Sequence, residues 1–410
     1  MTTMSGSRAL AAVGTYLPPW GDERGRTTGP DEDAVTLAVA AGRAALGEAG
    51  PQVRAVVFVT RELPLLVGGN AAALLAGIGL PDDVPVTEQV GGAPAVLDAL
   101  VGAAPGTLVV AADAQAGAPA GAAAALVGNT GVPIELVDRV VRSLPVQSRV
   151  DGGPVRDYAD PRLQRERGLG PAVEALELSD KPVAVAGLVA KQAAALSVGQ
   201  APRLPTLGAS AALFALAGLE QVGTGGLVLA VEQASATAIR IGGVPAVRRD
   251  EPAVRAPQRT VDNPGPEIAI SLAAYERAFD AKLRWEAGRC DACGTLAMPP
   301  RFRCLGCGSE AGWSSAPLPR TGVVYTGVTV HVPVPGLPTP YSLAIVELDG
   351  VDVRALVKVT GVPAGTTEIG DRGRLVLRRV AVRSGIPDYG YALFPDPRPA
   401  DAGQCEGAAR

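Results

Sequence analysis

The chain has 410 residues, too many for one ordinary core and enough for two or three domains. It is 47% hydrophobic and only 4% aromatic, with Ala, Gly and Val dominating, which suits closely packed α/β layers. A net charge of −4 and a pI of about 5.3 disfavour a general nucleic-acid binder, because phosphate contacts need clustered positive charge.

The first residues, MTTMSGSRAL, carry neither the basic start nor the apolar core of a signal peptide. No uninterrupted apolar run reaches the roughly 18–20 residues that span a bilayer. The expectation is a cytoplasmic protein with no membrane contact. "DEDAVTLAVAAGRAALGEAG" (31–50) predicts a helix, with an acidic first turn suited to the helix dipole and a Gly stop. "VRAVVFVT" (53–60), "TLVVAADA" (107–114), "PVAVAG" (182–187) and "GLVLAVEQA" (226–234) predict buried strands. Strands alternating with helices predict a layered α/β domain over residues 1–247.

Within it lies an internal repeat. "GGAPAVLDALVGAAPGTLVVAADA" (91–114) parallels "GASAALFALAGLEQVGTGGLVLAVEQA" (208–234). Each copy has a small-residue turn, a helix apolar around most of its circumference, a Gly-Thr turn and a Val/Leu strand. Ala-rich segments also match by chance, but the shared order of four features favours duplication. A helix apolar on all sides is buried on all sides.

Residues 248–266, charged and Pro-rich, read as a linker. Residues 267–286 read as an amphipathic helix whose apolar set is Ile268, Leu272, Tyr275, Phe279 and Leu283, at three- and four-residue steps. That stripe either packs on its own domain or docks a partner subunit. The segment 287–314 contains "CDACGTLAMPPRFRCLGCG" (290–308). Cys290 and Cys293 form one CxxCG knuckle and Cys304 and Cys307 another, with Gly294 and Gly308 relieving the turns. Two knuckles facing each other make a closed tetrahedral sulfur site suited to one structural Zn²⁺; iron in a rubredoxin-like site is the alternative. Disulfides are a poor explanation in a reducing cytoplasm. Residues 315–396 hold β-rich segments at 322–332, 341–350, 351–362 and 371–385, for which a closed barrel is the economical solution because closure removes exposed edges. Their mixed charge and few aromatics argue against a nucleic-acid role for ribbon and barrel. The tail, 397–410, is expected to be disordered, with Cys405 a free thiol.

Two resemblances follow. The region 267–396, through its helix, the ribbon motif, "GVVYTGVTVHV" and "PYSLAIVELDG", resembles the zinc-ribbon/OB-fold family called domain of unknown function 35. That resemblance implies a chain that accompanies thiolase-superfamily enzymes, its helix and barrel docking the partner and shaping an acyl-CoA channel. The N-terminal region, through "ALAAVGTYLP" (9–18), 31–46, 87–100 and 207–230, resembles hydroxymethylglutaryl-CoA synthase and ketoacyl synthase III. Those enzymes use a cysteine at the N-terminus of the buried first-repeat helix, a histidine and an asparagine.

Carried onto this sequence, the cysteine position falls on Gln89, or in a second register on Ala93. The histidine falls at Ala186 and Gly187, and the asparagine at Ala209. None of these groups can do the corresponding chemistry. The chain's one histidine, His331, is expected on a barrel strand as a structural residue. The resemblance thus implies no catalytic set and an accessory subunit, a pseudoenzyme in a hetero-oligomer with an intact thiolase-like chain. That complex would act on an acyl-CoA or acyl-carrier substrate by Claisen condensation, acyl transfer or retro-aldol cleavage. Two alternatives stand beside it: a decarboxylase of malonyl thioesters using Gln89 as an oxyanion donor, and a stand-alone acyl-CoA-binding scaffold.

Overall fold

Alternating strands and helices up to Asp250 build one sheet of ten strands. In the computed structural model, residues 8–22, 25–47, 52–142, 147–149, 155–158, 160–199, 201–266, 269–310, 312–332, 335 and 337–398 are described. The strands of the sheet are β1 (Ala9–Tyr16), β2 (Ala55–Thr60), β3 (Val86–Val90), β4 (Thr107–Asp113), β5 (Gly121–Gly128), β6 (Val132–Val140), β7 (Ala184–Ala186), β8 (Gly226–Glu232), β9 (Ser235–Ile241) and β10 (Val247–Asp250). Their order is β7-β8-β9-β6-β1-β5-β4-β2-β3, with β10 parallel to β1. The last three residues of β10 fall in the stretch read as linker; Arg248, Arg249 and Asp250 pair with Gly14, Thr15 and Tyr16, so sheet pairing extends into the charged start of that stretch.

The helices that bear on the site are α1 (Ala34–Leu46), α2 (Ala71–Ile78), α3 (Ala93–Gly102), α4 (Leu169–Glu174), α5 (Ala190–Leu196) and α6 (Ala211–Ala217); two shorter ones cover Pro161–Arg167 and Leu219–Val222. For α1, the acidic residues stand before the helix rather than in its first turn. Asp33 is the N-cap, accepting from the Thr36 N–H at 3.0 Å, while its own N–H donates to the Thr36 hydroxyl at 2.8 Å. The helix stops at Leu46, with Gly47 at φ 67° as its cap.

The repeat is visible as α3–β4 and α6–β8. The helices α3 and α6 pack on each other in the centre, as two helices apolar all round must. Their shared core takes Val13, Val109, Ala111 and Ala125 from one half of the sheet and Val228, Ala230, Ile239 and Ile241 from the other. Alternate residues of β8 (Leu227, Leu229 and Val231) face a second core with Leu176 and Ala193, beneath α4 and α5. The period of two along β8 thus feeds two layers.

A second compact unit comprises the chain from Val254 on together with residues 19–21 and 29–32. Its helix α7 covers only Leu272–Phe279, followed by one wide π-turn, Asp280–Arg284, and Trp285 in the left-handed region at φ 63°. The predicted helix from 267 is shorter at its start, and Ile268 lies outside the described residues. The ribbon carries β11 (Glu286–Cys290), β12 (Leu296–Ala297) and β13 (Trp313–Pro317). The closed barrel runs β14 (Thr321–Val330), β15 (Tyr341–Leu348), β16 (Arg354–Val359), β18 (Ile386–Pro395) and β17 (Arg372–Arg383) in spatial order. The strand β18, "IPDYGYALFP", was not among the predicted segments; Pro, Asp and Gly interrupt its pattern, and it is buried along almost its whole length. Among the described residues, no helix is long and apolar enough to cross a membrane. Cys405 and the tail from 399 lie outside the described residues.

Candidate functional site

Two places bring chemistry-bearing groups together. The first is the ribbon. Cys290 ends β11, Cys293 closes the first turn, and Cys304 and Cys307 form the second turn. One ligand atom from each of the four lies within 4.8 Å of all the others. The Sγ atoms of Cys290 and Cys307 are 3.7 Å apart, and those of Cys293 and Cys304 3.5 Å. Each knuckle is closed in the same way. Gly294 N–H donates to the Cys290 carbonyl at 2.7 Å and Gly308 N–H to the Cys304 carbonyl at 3.0 Å. Both glycines sit near φ 75°, where a side chain is disfavoured. The Thr295 hydroxyl, 3.1 Å from Cys293 Sγ, together with the Thr295 N–H, stabilises the thiolate and holds that thiol well down, at about 6. Four sulfurs on two facing turns can hold one metal ion tetrahedrally with no open coordination position.

The second place is the head of α3 beside the carboxyl ends of β2, β4, β7 and β8, termed the crevice below, where the resemblance puts a nucleophile. Gln89 lies on the edge strand β3, opposite Val59, four residues before the first residue of the helix. The N-terminal residue of α3 is Ala93, 1% exposed, with Gly92 as the cap. Of the two registers, the helix N-terminus is thus occupied by Ala93. Ala186 ends β7 and is fully buried. A side chain at Gly187, at φ 87°, would meet the Val231 carbonyl oxygen at 1.9 Å, so this turn excludes a histidine sterically as well as by sequence. Ala209 is fully buried and its N–H donates to Asp113 Oδ1 at 2.8 Å.

What fills the crevice is a polar network that the sequence reading did not identify. Arg61, just past β2, forms an ion pair with Glu232 at the end of β8. That pair presses on the cap of α3: a Cβ at Gly92 would lie 2.4 Å from both Arg61 Nη2 and Glu232 Oε2. Arg149 reaches Glu62 at 2.5 Å and the Arg61 carbonyl at 3.1 Å. Asp113, at the end of β4, accepts from the Ala209 and Ser210 N–H groups and from the Ser210 hydroxyl at 2.6 Å. The Ser210 proton is spent on Asp113, so the Thr206 hydroxyl donates to Ser210 Oγ at 2.8 Å. Burial raises the Asp113 pKa despite these donors and the nearby Arg61. Burial also lowers that of Arg61. Each of these residues stands at a strand end or turn, which was a weak signal in the sequence; the pairing itself spans distant segments.

Of the apolar stripe proposed for docking, Leu272 is exposed at 66%, while Tyr275 and Phe279 are half-buried and stack edge-on at 6.3 Å. Leu283 corrects the expected stripe: it lies in the π-turn and is fully buried in its own unit, so it is not available for docking. His331 is exposed, one residue past the end of β14.

Residues 315–378 match the family model described as ChsH2, C-terminal OB-fold domain. A probable enoyl-CoA hydratase alpha subunit of Thermomonospora curvata is 37% identical over 83 residues, 20% of this chain and 25% of that protein. The match thus spans about a quarter of that relative's length. Among solved structures, an Ltp2-ChsH2(DUF35) aldolase is 29% identical, covering 32% of this chain and 98% of that chain, with a TM-score of 0.26. The 3-oxoacyl-[acyl-carrier-protein] synthase III of Aquifex aeolicus is 14% identical, covering 57% of this chain and 99% of that chain, with a TM-score of 0.45. PksG, an HMG-CoA synthase from Bacillus subtilis, is 16% identical, covering 58% and 79%, with a TM-score of 0.45.

Proposed function

We propose that this chain is a non-catalytic subunit of a thiolase-type acyl-CoA complex, in which a separate, catalytically intact chain does the carbon–carbon or acyl-transfer chemistry. One observation carries the reading: the crevice at the head of α3 holds Ala93, Ala186, Gly187 and Ala209, and the Arg61–Glu232 pair spans it. A nucleophile, a base and an amide donor are absent from those positions, and the ion pair occupies the space in front of the helix N-terminus. The relatives, a probable enoyl-CoA hydratase alpha subunit and an Ltp2-ChsH2(DUF35) aldolase, support an assembly around an acyl-CoA substrate.

Two surfaces are suited to the partner. The strand β3 ends the sheet, paired only with β2 among the described residues, and its Val90 is exposed; a second sheet can continue there. The helix α7 offers Leu272 with the flanks of Tyr275 and Phe279. In the ribbon, the four-thiolate donor set fits Zn²⁺, which would fold the two knuckles onto one centre and take no part in turnover.

The test is direct. Incubation of the purified chain with acetyl-CoA should leave residues 1–250 unacylated by intact and peptide mass spectrometry, and the chain alone should turn over neither acetyl-CoA nor malonyl-CoA. Co-expression with a neighbouring thiolase-like gene product should yield a stable complex, and replacing Tyr275 and Phe279 together with Ser should weaken it while zinc is retained. An acyl adduct in the N-terminal unit, or turnover by the chain alone, would overturn the non-catalytic reading; a strictly monomeric chain after co-expression would overturn the subunit reading.

A further inference from the structure

The C-terminal unit contains a groove of about 740 Å³, walled by α7 and its π-turn, by Met298–Pro300 of the ribbon and by the barrel strands β15 to β18. This lies within the 300–1,000 Å³ typical of small-molecule sites. Its lining is mainly apolar, with Trp285, Tyr391, Leu343, Val357 and Val380. Leu356 stands on its rim, 69% exposed. Trp285 and Tyr391 are locked together, ring centroids 5.0 Å apart, and the Tyr391 hydroxyl donates to the Leu283 carbonyl at 3.1 Å, so that wall is preorganised.

Three cationic side chains line the groove, and they differ: Arg277 is exposed to solvent, whereas the two lysines are partly buried. Lys282 is paired with Asp388. Lys358 donates to the Val380 carbonyl at 2.8 Å and lies 5.2 Å from the centre of the Tyr341 ring. Among the described residues it forms no ion pair. The charges that act on it are those of Asp31 and Asp388, which favour its ammonium form, and of Arg383, which opposes it; burial outweighs them and lowers its pKa. An ammonium held in an apolar trough without a carboxylate is costly unless an anion joins it. Its remaining N–H groups are donors for such an anion. The neighbouring Asp388, already shared by Lys282 and Arg383, disfavours a ligand carrying two negative charges.

We propose that this groove binds an amphipathic carboxylate of medium chain length, its apolar body lying along Trp285 and Tyr391 and its carboxylate pairing with Lys358. The neutral counterpart of such a ligand lacks the ion pair and so binds more weakly.

Decanoate and 1-decanol, titrated separately into the full-length, metal-loaded chain and followed by calorimetry and tryptophan fluorescence, test this. Decanoate should bind saturably and at least tenfold more tightly than decanol. Lys358→Met should abolish that preference by weakening decanoate at least tenfold while leaving decanol within a factor of two; Lys358→Arg should keep it. Ala278→Trp, which fills the trough, should weaken both ligands. Circular dichroism and metal content identify any variant that fails to fold, in which case the wild-type decanoate-to-decanol ratio and its fall with added salt decide alone. Absence of saturable decanoate binding, equal affinity for the alcohol, or unchanged binding in a folded Lys358→Met variant would overturn the proposal.

Discussion

Asp113 and Ser210 join the two copies of the internal repeat through one carboxylate. Asp113 ends the first copy's strand, β4, and Ser210 stands at the turn that starts the second copy's helix, α6. The Ser210 hydroxyl donates to Asp113 Oδ2 at 2.6 Å and its N–H to the same oxygen at 3.0 Å, while Ala209 N–H donates to the other oxygen. The carboxylate thus satisfies backbone donors at the head of a short, buried helix that has no side-chain cap of its own.

Removing that carboxylate should be costly. Asp113→Ala leaves two N–H groups and a hydroxyl without their acceptor, and about 3 kcal/mol of stability should be lost from the N-terminal unit. All three tryptophans, Trp20, Trp285 and Trp313, belong to the C-terminal unit. Amide hydrogen exchange over α3, α6 and β8 is therefore the measurement that checks it, and tryptophan fluorescence should be nearly unchanged.

The same residue sets a pH dependence. Burial raises the Asp113 pKa in the folded chain, so the native state takes up its proton at a higher pH than the unfolded chain does. Its contribution to stability is fully present below the unfolded value, about 3.9, and is lost as pH rises through the folded value. Relative to Asp113→Asn, the wild-type N-terminal unit should therefore become less stable as pH rises across that window. Denaturant midpoints read by hydrogen exchange at several pH values check the sign; an opposite slope would count against it.

In the ribbon, about one metal ion per chain is expected, with zinc the metal found by elemental analysis of freshly purified protein. Cys304→Ser should abolish binding, since Cys304 is buried and shares its contact with Cys293. Trp313, which pairs opposite Cys290 at the end of β11, should report the loss by its fluorescence, while the N-terminal unit keeps its exchange protection.

A buried ion pair holds the C-terminal unit. Arg378 Nη2 lies 3.1 Å from Glu32 Oε1, each side chain 1% exposed, and Glu32 also accepts from Gly29 N–H at 2.8 Å. Arg378→Met strands a buried carboxylate and should cost about 3–5 kcal/mol. Adding Glu32→Gln should recover most of that, because the amide keeps an acceptor for Gly29 without the charge. Tryptophan fluorescence through a urea titration reads this unit and checks both variants.

Much of the fold was legible because its signals are local. The strands at β2, β4, β7 and β8 fall within the predicted runs, since a buried strand is a short apolar run whatever it pairs with. The barrel strand β18 was missed because Pro387, Asp388 and Gly390 break its pattern; they stand where it pairs with β17, while Ala392 and Leu393 also pair with β16. The helix at 267–286 was right in kind at α7 but not in extent. Its stripe at three- and four-residue steps assumes an even helical period, which the π-turn at Asp280–Arg284 interrupts before Leu283 is reached.

The sequence by itself determined the cysteine knuckles, the alternation of strand and helix, the duplicated copies and the identities Gln89, Ala93, Ala186 and Ala209. Each of these is a matter of residue type and spacing along the chain. Only the tertiary structure decided which residue stands at the head of α3 and what fills the crevice before it. Arg61, Asp113, Ser210 and Glu232 come from four separate strand ends and turns, and their side chains meet only because the sheet folds its two halves around α3 and α6. An ion pair in a crevice is a property of distance and burial, and neither is written in local periodicity.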